Sequence, residues 1–223
     1  MIGRPPETRY LVRMALHAEL VGAWEKDSRR LMVVLHGLGD SIDGYRWLPS
    51  ALGLPWMNYI LVNAPDPYFG GGSWYDFGGD PAPGVERSRL LLAGLLDELR
   101  SKNFPTDQTT LFGFSQGCLM TLETALTYPH RFAGVVGISG YAHNPEGLLQ
   151  KMPAIAREQR FLITHGTQDT MIPIKPVRQQ NELLRAAGLT MDWREFAKAH
   201  TIAGEEELKV IRDFVVAGYP ADK

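Results

Sequence analysis

The segment Thr109-Thr110-Leu111-Phe112-Gly113-Phe114-Ser115-Gln116-Gly117 decides the fold. Thr109 to Phe112 is a short apolar run of strand type, and Leu119, Leu122 and Leu126 behind it fall at helical spacing. Between strand and helix lies a G-x-S-x-G pentapeptide, Gly113 to Gly117. In that context the pattern forms a sharp turn with the serine at its apex. The physics is steric: small flanking residues let strand and helix approach closely. The Ser115 hydroxyl is then held out at the top of a sheet, and the first amides of the helix point at the reacting centre.

Working outward, Leu31 to Leu35 is a continuous apolar run, as expected of a strand buried on both faces. Tyr59 to Val62, Gly134 to Ile138 and Arg160 to Thr164 are similar, and Tyr10 to His17 reads as a first strand. Leu189, Met191 and Trp193 alternate with polar residues, so the strand from Leu189 to Phe196 is expected nearer an edge. Helical spacing marks Val85 to Ser101, the segment after Ser115, a helix begun near Pro173 and Pro176 and stopped at Gly188, and a last helix through Leu208, Ile211, Phe214 and Val215. Glu205, Glu206 and Glu207 suit the positive end of that last helix and are read as its solvated start. Asp66 to Gly84, rich in Gly, Pro and aromatics, reads as a long surface loop. Strands alternating with helices imply an α/β fold: a mostly parallel central sheet with helices on both faces and active groups at the carboxyl ends of the strands.

Composition narrows the function. The 223 residues, 44% of them hydrophobic, suit one domain over residues 1–223. A net charge of −2 and the lack of a basic stripe argue against nucleic acid as a partner. Cys118 is the only cysteine, which excludes an internal disulfide framework. Met1 to Glu7 carries no apolar stretch behind a positive start, and no apolar run is long enough to span a bilayer. The expectation is therefore a cytoplasmic protein without stable membrane insertion; oligomeric state is not legible.

A serine at its ordinary pKa needs a base, itself oriented by a third group. Of six histidines, His17, His130 and His143 read as structural or surface residues. His36 and His165 each end an apolar strand before a glycine, so both belong at the active edge. His200 fits the base best, in the connection between the Leu189 to Phe196 strand and the last helix. Asp169 lies just past the strand that ends at His165. Ser115, Asp169, His200 is the chain order of α/β-hydrolases, and each separation holds about one strand–helix unit. Ser115 would attack, His200 would take and return the proton, and Asp169 would fix the imidazole. For the oxyanion, the expected donors are the backbone amides of Gln116 and of Leu38, in the Gly-rich turn after the Leu31 to Leu35 strand.

These blocks resemble the phospholipase/carboxylesterase family of α/β-hydrolases, which includes acyl-protein thioesterases. The resemblance spans roughly Val33 to Phe214. It rests on Leu35-His36-Gly37-Leu38-Gly39-Asp40, Asn63-Ala64-Pro65, Gly72-Ser73-Trp74-Tyr75-Asp76-Phe77, Gly113-Phe114-Ser115-Gln116-Gly117 and His165-Gly166-Thr167-Gln168-Asp169. It implies a serine esterase for carboxylic esters or thioesters that needs no cofactor, with a small-molecule substrate. It also implies that Trp74 walls the acyl pocket. Where relatives commonly carry Gly-His-Ser, this chain has Lys198-Ala199-His200-Thr201. Arg46, Arg87 and Arg89 could meet an anionic substrate but read as surface charge. Three alternatives stay open: a dienelactone-type or peptidase-like acyl hydrolase, a non-catalytic ligand-binding protein on the same fold, and a metalloenzyme. The last lacks an HExxH motif or clustered ligand spacing.

Overall fold

A computed structural model describes residues 9–13 and 16–219. In chain order the elements are β1 (Arg9–Arg13), β2 (His17–Val21), β3 (Leu31–Leu35), α1 (Leu48–Leu52), β4 (Asn58–Val62), β5 (Asp66–Tyr68), β6 (Gly71–Ser73) and α2 (Ala82–Ser101). There follow β7 (Thr109–Phe114), α3 (Gln116–Thr127), β8 (Gly134–Ile138), α4 (Pro145–Lys151), β9 (Arg160–Gly166), α5 (Ile174–Ala186), β10 (Thr190–Phe196) and α6 (Gly204–Ala217). Eight strands form one sheet in the order β1-β2-β4-β3-β7-β8-β9-β10. From β4 to β10 all neighbours are parallel; β2 runs antiparallel to both β4 and β1.

The period of two along each strand splits the core into two halves. Leu31, Val33 and Leu35 of β3 join Leu111, Val135 and Phe161 on the face covered by α2, α3, α4 and α5. Met32 and Val34 join Phe112, Val136 and Leu162 on the face covered by α1 and α6. This is why β3 is apolar at every position. Each such side chain contributes about 1.5–3 kcal/mol by leaving water. The parallel strands are thereby pinned from both sides, and their carboxyl ends form one rigid edge.

Three expectations change. The single strand over Tyr10 to His17 is a hairpin, because Arg13 pairs with His17 and β2 continues to Val21. The Asp66 to Gly84 segment is not simply a surface loop: β5 and β6 pair as a two-stranded ribbon, and Trp74 and Tyr75 beyond it are buried. Glu207 is wholly buried, so the glutamate run of α6 is solvated only at Glu205 and Glu206. β10 does close one edge of the sheet. Among the described residues no helix is long and apolar enough to cross a membrane, and no group of three His, Cys, Asp or Glu side chains is placed to hold a metal ion.

Candidate active site

Ser115 sits between β7 and α3 at φ 55° and ψ −116°, a left-handed strained conformation for a residue with a side chain. The strain is enforced by its neighbours. A Cβ on Gly113 would lie 2.1 Å from the Gly117 carbonyl oxygen, and one on Gly117 would lie 2.1 Å from that of Leu35. Only glycine at both positions lets α3 start directly over β3 and β7. The serine hydroxyl is therefore lifted off the end of the sheet.

The structure brings Ser115, His200 and Asp169 together from three separate connections. Ser115 Oγ lies 2.9 Å from His200 Nε2, and His200 Nδ1 lies 2.7 Å from Asp169 Oδ2. A proton on Nδ1 satisfies both contacts: Nδ1–H donates to the carboxylate and Nε2 accepts from the hydroxyl. The other Asp169 oxygen accepts the amides of Met171 and Ile172 at 3.0 and 2.8 Å. Burial works to raise the Asp169 pKa, but the Ile172 amide and His200 outweigh it and hold the carboxyl below its ordinary value. The Phe114 ring packs against the His200 ring, with centroids 5.0 Å apart.

The two expected oxyanion donors lie on preset backbone. Among the described residues, neither the Leu38 nor the Gln116 amide has an intramolecular acceptor. The Leu38 turn is clamped to the β5–β6 ribbon, with Gly39 N–H donating to Gly72 O at 2.9 Å and Gly72 N–H to Asp40 O at 2.8 Å. A Cβ on Gly71 would lie 2.1 Å from the Gly39 carbonyl oxygen, so the ribbon can approach only through glycine.

His36 and His165 reach the active edge as supports. Ala64 N–H donates to His36 Nε2 at 3.0 Å, so Nδ1 carries the proton and donates to Gly37 O at 2.6 Å. His165 Nε2–H donates to Ile172 O at 2.8 Å and lies 3.6 Å from Asp169 Oδ2. Burial lowers the pKa of both imidazoles, which favours their neutral forms. Trp74 does not line an open groove. Its side chain is 0% exposed and its indole N–H donates to His36 O at 2.9 Å, so it braces the end of β3 from inside. Arg46, Arg87 and Arg89 are each engaged with carboxylates: Glu19 and Asp43, Asp66, and Glu86 respectively.

Sequence reasoning missed three supports. The Gln116 side chain accepts the Trp74 amide at 2.9 Å and donates to Tyr75 O at 3.2 Å, tying the ribbon's exit to the start of α3. Lys198 and Glu207, both buried, form an ion pair across the His200 loop, and Glu207 also accepts the Ala203 amide. Gly166 permits the docking of that loop, since a Cβ there would lie 2.3 Å from Lys198 O. A signal for Glu207 was present: it stands one helical turn before Ile211, on the apolar stripe of α6.

The phospholipase/carboxylesterase family model matches residues 17–217. The chain is 28% identical over 217 residues to acyl-protein thioesterase 1 of Debaryomyces hansenii, covering 87% of this chain and 94% of that protein. The solved structure of esterase PE8 superposes with a TM-score of 0.80 at 25% identity, covering 92% of this chain and 99% of that one. A carboxylesterase from Mesorhizobium loti superposes with a TM-score of 0.79 at 21% identity, covering 94% and 99%. The sheet is that of an α/β-hydrolase, and the chain belongs to the phospholipase/carboxylesterase family.

Proposed function

We propose that the protein is a serine hydrolase that cleaves carboxylic esters and thioesters of small to medium acyl groups, with Ser115, His200 and Asp169 as its catalytic triad. The observation that carries this reading is the unbroken line of contacts from Ser115 Oγ through His200 to Asp169, at 2.9 and 2.7 Å. Relatives named for thioester and for ester cleavage support both substrate classes.

In this reading Ser115 Oγ attacks the acyl carbon as His200 Nε2 takes its proton, and Asp169 stabilises the imidazolium. The developing oxyanion is received by the Leu38 and Gln116 amides, each such donor being worth about 10²–10³ in turnover. Collapse breaks the bond to the leaving oxygen or sulfur, which receives the proton from His200. Water then repeats the sequence on the acyl-enzyme, with His200 as its base, and releases the acid.

A fluorophosphonate probe should label the protein and fail to label Ser115→Ala. Hydrolysis of p-nitrophenyl butyrate should fall by about three orders of magnitude or more in Ser115→Ala and in His200→Ala. Undiminished turnover in either variant overturns the assignment.

A further inference from the structure

We infer that the groove beside His200 receives the leaving-group half of the substrate, and that this half is a neutral, apolar alcohol or thiol. This rests on the reading of Ser115 and His200 given above. A cavity of about 340 Å³ opens against the imidazole on the side facing α6. Its apolar wall comes from four places in the chain: Trp47 before α1, Phe114 at the end of β7, Ile202 in the His200 loop and Leu208 in α6. Trp47 is 42% exposed, and its indole N–H donates to Gly44 O at 2.7 Å. A large aromatic side chain hydrogen-bonded at its polar tip and still partly exposed is suited to contacting a ligand.

The chemistry assigns the halves. The proton removed from Ser115 resides on Nε2 and must be delivered to the departing oxygen or sulfur, so that atom lies within hydrogen-bond reach of the imidazole. The acyl substituent of the tetrahedral centre then points away from His200. A groove bordered by His200 and the residues that follow it therefore adjoins the leaving group.

The electrostatics assign the character of that group. Asp40 belongs to the lining, and among the described residues no Lys or Arg lines the cavity. Nearby Arg46 is held by Glu19 and Asp43. A phosphate-bearing leaving group such as coenzyme A would meet a like charge and no cation, whereas an aryl-alkyl group would cover Trp47, Phe114 and Ile202.

The test uses one acyl group and leaving groups of matched acidity: propyl acetate against 3-phenylpropyl acetate, and acetyl-coenzyme A against S-(2-phenylethyl) thioacetate. The expected result is a kcat/KM about 10-fold or more higher for each phenylalkyl compound, the discrimination an apolar pocket contact gives. Trp47→Ala should bring the propyl to phenylpropyl ratio towards unity. Equal rates for the two alcohols in the unaltered protein overturn the inference. So does a Trp47→Ala variant whose preference shifts between acetate and butyrate but not between alcohols, which would place the acyl half in the groove. Fluorophosphonate labelling of Ser115 is run alongside. Labelling with equal rates defeats only the groove, whereas absent labelling and absent turnover of every ester defeat the hydrolase reading with it.

Discussion

The Lys198 ammonium lies 2.6 and 2.8 Å from the two carboxylate oxygens of Glu207, and both side chains are almost completely removed from water. The pair joins the start of the His200 loop to α6, and the same carboxylate accepts the Ala203 amide at the loop's far end. Removing one partner leaves a buried charge without compensation, which costs about 3–5 kcal/mol. Lys198→Met and Glu207→Leu should therefore each lower the urea midpoint strongly. The double variant should recover part of that loss, because two apolar groups leave no charge behind. Its ester turnover should stay depressed, since the Ala203 amide has still lost its acceptor. Urea unfolding of the three variants checks this, and an unchanged midpoint in either single variant would contradict it.

Asp169 gives a prediction with a defined pH dependence. Its folded pKa is depressed, with the Ile172 amide and His200 overcoming the opposing effect of burial. A depressed carboxylate contributes stability above its unfolded pKa, and that contribution is lost as pH falls through the folded value. Asp169→Asn should therefore be less stable than the unaltered protein at pH 7, and the gap should narrow as pH falls below the ordinary carboxylate range. Turnover should also fall, because the amide no longer enforces the proton on His200 Nδ1. Thermal melts across pH measure the first effect, and a gap independent of pH would count against the carboxylate's role.

How much of this was legible depended on whether the physics was local. Gly113, Ser115 and Gly117 announce themselves because strand, turn and helix are contiguous in the chain, although the Leu35 oxygen that excludes a Cβ at Gly117 lies on another strand, and β3 does so because burial on both faces leaves no polar position. The β1–β2 hairpin was hidden because Arg13 to His17 contains no Gly, Pro or Asn to mark a reversal. Among the aromatics after Pro65, composition could not separate Trp74 at 0% exposure from Phe69 at 94%. That division follows from the Gln116 side chain capturing the Trp74 amide, a contact 42 residues apart in the chain. Lys198 was equally hidden, since its partner lies on another element and nothing in its own loop requires a buried cation.

The glycines of the serine turn should be intolerant for steric reasons alone. Gly117→Ala places a Cβ 2.1 Å from Leu35 O, a backbone atom that cannot move without shifting β3. The variant should lose activity and unfold at a markedly lower temperature, with a cost of about 4 kcal/mol or more. Gly94 is the control: it is exposed inside α2, and a Cβ there meets nothing within 4 Å. Gly94→Ala should stabilise the protein by about 1 kcal/mol, raising Tm by roughly 2–4 °C. If Gly117→Ala kept its activity, the close packing of α3 on β3 would be wrong.

Glu123 should show the opposite pH dependence to Asp169. It lies buried on α3, and burial pushes its pKa up to about 7, with Arg89 opposing and Glu86 adding to the rise. A carboxyl whose folded pKa exceeds its unfolded value binds its proton more tightly in the folded state, so stability falls as pH rises between the two values. Above pH 7 the folded protein carries a buried, poorly compensated charge whose cost is at most about 3 kcal/mol. Glu123→Gln removes that charge while keeping the shape. The variant should match the unaltered protein near pH 4.5 and melt at a higher temperature at pH 8. A variant equally or less stable at pH 8 would mean that Arg89 and Lys151 already compensate the carboxylate in full.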